Sequence, residues 1–165
     1  MSPGNIKYAE RNGIHVLCFE GEIRYFLGPS LGRFLDGLGA GPAPKGFLID
    51  LTQADWLDST SLGLLARIAK WMQRCGAPKA TLFTGGEDIT DLLFSVGFDE
   101  VFDVVRGGSP NADASEAVRL EAADAPEQLA ATMLEAHRIL VSLNERNREE
   151  FRDVVGLLEA ETGSR

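Results

Sequence analysis

Apolar positions alternate with polar ones in two short runs, residues 5–10 and 14–19, and Asn12-Gly13 lies between them. That dipeptide tolerates the positive φ angles of a two-residue hairpin turn, so the runs read as paired antiparallel strands. Over 27–38 the period lengthens. Leu27, Leu31, Phe34, Leu35 and Leu38 recur at helical spacing, with Pro29 and Ser30 near the start. The glycines and prolines of 37–46 read as a connector. A dinucleotide loop would need a strand before its glycines and a helix after them, and here the order is reversed.

Residues 46–51 (GFLIDL) are almost continuously apolar, as in a central strand covered on both faces. A loop through Trp56 then leads into a helix over 59–75, with Leu62, Leu65, Ile68, Ala69 and Met72 on its inner face. A strand at 79–84 follows Pro78, and Gly85-Gly86 turn the chain into a helix at 87–96. Gly97 stands where a left-handed helix cap belongs, and a final strand is predicted at about 100–105. The order β-β-α-β-α-β-α-β predicts an α/β domain over 1–106. Its sheet is mixed, mostly parallel and five-stranded, with one antiparallel edge and helices packed on it.

Beyond it the pattern changes. Residues 107–125 are rich in Gly, Ala, Ser and acids, and read as a flexible linker. From Pro126 the spacing is helical again, and 126–165 forms a helical extension. Leu129, Met133, Ala136, Leu140 and Leu143 make a packing seam, which is interrupted at Asn144, Asn147 and Glu150 and resumes on Phe151, Val154, Val155 and Leu158. One long helix and a hairpin turning near Asn144 both satisfy this spacing. The seam suits folding back on the domain, self-pairing into a homodimer, or docking a further protein, and folding back or self-pairing is favoured because an exposed seam of this length invites aggregation.

Composition narrows the function. With 44% apolar and 25% charged residues, the chain is ordinary for a globular protein, but its formal charge is −9. Nucleic acid and anionic membranes both select clustered Lys and Arg, so neither is an expected partner. No apolar run approaches the roughly 20 residues that cross a bilayer, and no signal pattern opens the chain, so a cytoplasmic location is expected. Cys18 and Cys75 read as buried thiols, although a disulfide between them remains compatible with the sequence. No CxxC, HExxH or Cys/His cluster is present, so neither metal nor cofactor is predicted.

The chemistry concentrates in DLTQADWLDSTSLGLLARI, residues 50–68. Asp58, Ser59, Thr60 and Ser61 open the long helix, and any of them can cap its free N–H groups; a well-capped helix alone accounts for them. The pattern D-L-x(6)-L-D-S-T-S-L-G-L-L, together with VGFDEVF at 96–102, resembles the STAS domain in its anti-sigma factor antagonist branch. The resemblance covers about residues 5–106. It implies that Asp50 and Asp58 are the family's acidic landmarks and that Thr60 is the hydroxyl phosphorylated by a GHKL-type anti-sigma factor kinase, a mark reversed by a PP2C-type phosphatase. Ser61 stands where the family carries Gly or Ala, which leaves Ser59 and Ser61 as alternative acceptors.

The implied activity is binding, not catalysis. Unphosphorylated, the chain would sequester an anti-sigma factor through Asp50, Trp56, Asp58, Ser59, Thr60 and Ser61, freeing a sigma factor. A phosphate on Thr60 adds about −1.5 to −2 charge, which the helix N-terminus can accommodate while a neutral interface cannot, so binding would end without unfolding. Other STAS proteins serve as adaptors in biofilm or motility signalling, stressosome-like assemblies or lipid transport, and this remains the alternative role. A serine hydrolase fits less well, because LDSTSLG lacks the first glycine of a G-x-S-x-G elbow and neither His15 nor His137 is expected near the site. A phospho-aspartate receiver fits least: Glu20 and Glu22 follow an antiparallel hairpin, and Arg106 is no substitute for the required Lys.

Overall fold

The computed structural model describes residues 3–108, 110, 116–118, 120–123 and 125–163. Strands β1 (Asn5–Arg11) and β2 (Ile14–Ile23) pair antiparallel around Asn12 and Gly13, whose φ angles of 55° and 83° are those the tight turn demands. A short 3-10 turn leads into α1 (Gly28–Gly39). Then follow β3 (Gly46–Leu57), α2 (Ser59–Arg74), β4 (Thr81–Thr84), α3 (Glu87–Ser95), a one-turn α4 (Phe98–Val101) and β5 (Asp103–Arg106). Strands β2, β3, β4 and β5 run parallel, which with β1 makes the predicted five-stranded, mostly parallel sheet. Its core is Leu17, Phe19, Phe47, Ile49 and Leu82 from the strands, with Leu62, Leu65 and Ile68 from α2. Gly97 caps α3 at φ 80°, in the left-handed region.

The structure departs from the sequence expectation in three places. First, β3 does not end at Leu51 but runs to Leu57, pairing with Glu20–Ile23 of β2 through two register shifts. These irregularities turn Leu51, Ala54 and Leu57 inward at a spacing of three, so the segment loses the alternation that marks a strand. Second, β6 (Glu116–Ala117), inside the segment expected to be a linker, adds antiparallel to β1 and gives the sheet the order β5-β4-β3-β2-β1-β6. The chain beyond it is tied down by bonds from the Val118 N–H to the Ile6 carbonyl and from the Ala123 N–H to the Phe26 carbonyl. The Ser30 hydroxyl also lies 2.9 Å from both the N–H and the carbonyl of Glu121. Residues 109, 111–115, 119 and 124 of that segment lie outside the described residues. Third, Cys75 is exposed and Cys18 half-buried, where both were expected to be buried.

The C-terminal segment is a hairpin. Helix α5 (Pro126–Val141) packs along α2 and touches α1; helix α6 (Glu145–Thr162) packs on α5. The turn falls at Asn144, whose side-chain oxygen accepts the Asn147 N–H at 2.8 Å and so caps α6. Of the predicted seam, Ala136 and Leu140 are buried and Leu129, Met133 and Leu143 half-buried, and Leu134 beside them is buried as well.

Candidate functional site

Asp58 organises the junction of β3 and α2. Its backbone is extended, and one carboxylate oxygen accepts the Ser61 N–H at 2.9 Å, capping the helix. The other accepts the Tyr25 N–H at 2.5 Å, which joins the turn after β2 to the mouth of α2. A single carboxylate thus serves as cap and as strap. Among the described residues, no group of three His, Cys, Asp or Glu is placed to hold a metal ion.

The three hydroxyls at this mouth have different surroundings. Ser61 is 3% exposed, its oxygen 3.0 Å from the Ile23 carbonyl and 2.9 Å from Asp58. It therefore braces the loop from within. Thr60 is 2% exposed. Its methyl lies 3.4 Å, and that of Thr132 on α5 3.1 Å, from the point where a side chain on Gly28 would begin. Ser59 is half-buried, and its hydroxyl lies 2.8 Å from Nε2 of His137.

His137 corrects the sequence reading, which placed neither histidine near the site. Its Nδ1 is 2.6 Å from the Met133 carbonyl, an acceptor, so in the neutral ring Nδ1 carries the proton and Nε2 accepts from Ser59. The ring is 2% exposed and packs edge-on against Phe151 of α6. Nothing local in the chain announces this pairing across 78 positions. The nearest sequence signal is Gly63 in the middle of α2, where a side-chain Cβ would stand 2.2 Å from the Ala136 carbonyl oxygen. The two helix backbones touch there, and only glycine permits it.

Around this covered mouth lies an exposed rim. Trp56 is 51% and Tyr25 44% exposed, and the Arg24 guanidinium sits 5.9 Å from the Trp56 ring centre while pairing with Glu22 at 2.9 Å. Exposed Trp, Tyr and Arg side chains are the types that anchor protein interfaces. Sequence reasoning had singled out Trp56 but missed Arg24 and Tyr25. Asp50 lies apart from this group. It sits mid-strand, where its carboxylate accepts from the N–H and hydroxyl of Thr52 at 2.9 and 2.6 Å. Asp58 lies eight positions further along the chain, roughly 25 Å at the usual strand rise.

Among solved structures, this architecture matches that of an anti-sigma factor antagonist from Mycobacterium paratuberculosis. The TM-score is 0.52 at 21% sequence identity, over 62% of this chain and 85% of that one. The chain has the STAS fold. No family model matches the sequence, and no curated protein matches it significantly. In STAS terms, the hydroxyl triplet 59–61 opens the helix that follows the central strand, and the α5–α6 hairpin lies directly over it. No helix of the described residues is long and apolar enough to cross a membrane.

Proposed function

We propose that this chain is a phosphorylation-controlled binding protein of the anti-sigma antagonist type, with Thr60 as the switch residue. The observation that supports it best is the placement of Asp58-Ser59-Thr60-Ser61 at the N-terminus of α2, beside the Trp56–Arg24–Tyr25 rim, in a fold shared with an anti-sigma factor antagonist. Unphosphorylated, the chain would capture an anti-sigma factor that is also a GHKL-type serine kinase. Phosphorylation of Thr60 would release it, and a PP2C-type phosphatase would restore binding. The geometry favours Thr60 or Ser59 over Ser61, whose hydroxyl is held inside the loop. A like-charge contact buried in the interface costs several kcal/mol, and each 1.4 kcal/mol is about tenfold in affinity. A pull-down from the native cells with Thr60→Ala and Thr60→Glu tests this: the first should retain a GHKL-type protein and the second should lose it by at least about a hundredfold in affinity. Equal retention by both variants would sink the switch.

One observation favours a second reading. Ser59 and His137 have the distance and tautomer of a nucleophile and its base. Against it, the imidazole is buried, packed against Phe151 of α6, and the group that orients it is a neutral carbonyl, which stabilises an imidazolium far less than a carboxylate does. A fluorophosphonate probe decides between them. The binding reading expects Ser59 to stay unlabelled, and labelling that disappears in His137→Ala would establish the enzyme.

A further inference from the structure

We propose that the α5–α6 hairpin is a built-in competitor for the mouth of α2: docked, it hides Thr60 from both kinase and partner, and a phosphate on Thr60 holds it away. This rests on the assignment of Thr60 as the switch and adds the element that regulates access to it.

Three contacts carry the inference. Thr60 is 2% exposed, and its methyl, Leu64 and the Thr132 methyl of α5 all crowd against Gly28, so α5 is seated beside the residue a kinase would have to reach. The backbones of α2 and α5 meet at Gly63 and Ala136 with no room for a methyl group, so nothing else can share that face. The hairpin is fastened by polar bonds at both ends. Ser59 meets His137 at the mouth, and the Asn147 side-chain N–H groups bond the Val96 and Leu140 carbonyls at 2.9 Å each. A phosphothreonine brings three oxygens and about −1.5 to −2 charge to this packed crossing. The N-terminus of α2 can accept that charge, but the close packing of α5 against it leaves no room for the added group, so the phosphate and the seated hairpin exclude one another. By linkage, whatever lifts the hairpin promotes phosphorylation, and phosphorylation lifts the hairpin by the same factor.

The full-length chain supplies the test, read by hydrogen–deuterium exchange and by Thr60 phosphate occupancy in protein isolated from the native cells. Thr60→Glu imitates the charge. Gly63→Ala is a purely steric release, since alanine favours the α2 helix itself while its methyl strikes the Ala136 carbonyl. Gly28→Cys with Thr132→Cys, oxidised, locks the hairpin down. Thr60→Glu and Gly63→Ala should raise exchange at α5 and α6 amides at least about tenfold while β2 and β3 keep wild-type protection. Thr60 occupancy should rise in Gly63→Ala and fall in the locked form.

The inference is overturned if α5 keeps wild-type protection in Thr60→Glu and Gly63→Ala, or if sheet and hairpin lose protection together. Equal, non-zero occupancy in released and locked forms overturns it as well. Should no form carry phosphate while Thr60→Glu still frees the hairpin, the competitor stands for this face and the assignment of Thr60 as a phosphorylation site is what fails.

Discussion

Helices α2 and α6 are similar in length, 16 and 18 residues, yet α2 buries ten of its residues and α6 only two, Asn147 and Leu158. The difference follows from position. Helix α2 lies between the sheet and α5 and is covered on both sides. Helix α6 touches mainly α5 and leaves Leu157 71% and Val154 37% exposed. Stability within a fold is unequal, and elements with few buried contacts open first. The inner helix therefore holds Ser59, Thr60 and Ser61 in fixed geometry, while α6 has far less burial to lose on opening.

The largest break in this comparison comes from matched leucines. Leu65 on α2 is 1% exposed, so Leu65→Ala should destabilise the whole domain by about 2–5 kcal/mol. Leu157→Ala on α6 should stay within about 0.5 kcal/mol. Urea unfolding followed by circular dichroism measures both, and equal losses would show that the two helices belong to one cooperative unit.

Asn147→Ala should have the next largest effect, about 1–3 kcal/mol, because it strips bonds from the buried Val96 and Leu140 carbonyls. The loss should appear as faster exchange and easier proteolysis at the turn and α6, with the sheet unchanged. Were the sheet to lose protection equally, the division between inner and outer layers would fail.

How much of this was legible beforehand depends on whether each feature is local in sequence. The Asn12-Gly13 turn, the GFLIDL strand and the inner face of α2 carry their own patterns, because periodicity and turn chemistry act over a few residues. Strand β3 was read too short because its register shifts replace alternation with the triplet spacing of Leu51, Ala54 and Leu57. Strand β6 is held to β1 by backbone bonds that any sequence can make. The tail's spacing suited a hairpin and a single helix equally, although Asn144 three residues before Asn147 is the signature of a capped helix start. The Ser59–His137 contact was out of reach because it depends on how α5 is laid across α2. Only the small residues at that crossing, Gly63 and Ala136, hint at it.

The smallest effect comes from titration, and it should act on the inner layer alone. His15 on β2 is 9% exposed, stacks on Phe47 of β3 and bonds the Tyr8 hydroxyl through Nδ1 at 2.7 Å. Burial lowers its pKa below the ordinary 6.5, and the nearby Glu10 carboxylate offsets this only in part. As pH falls below 6.5, the unfolded chain takes up a proton that the folded chain still refuses. The stability contributed by the neutral ring is therefore full above 6.5 and declines as pH drops from there toward the depressed folded value. His15→Gln keeps an acceptor for Tyr8 but cannot titrate, so its stability should change less than the wild type's between pH 7.5 and 5.5. Because His15 contacts the sheet and Trp71 of α2, the acid loss should appear in exchange at β1–β3. A loss confined to α5 and α6, or one undiminished in His15→Gln, would assign the pH response to another group.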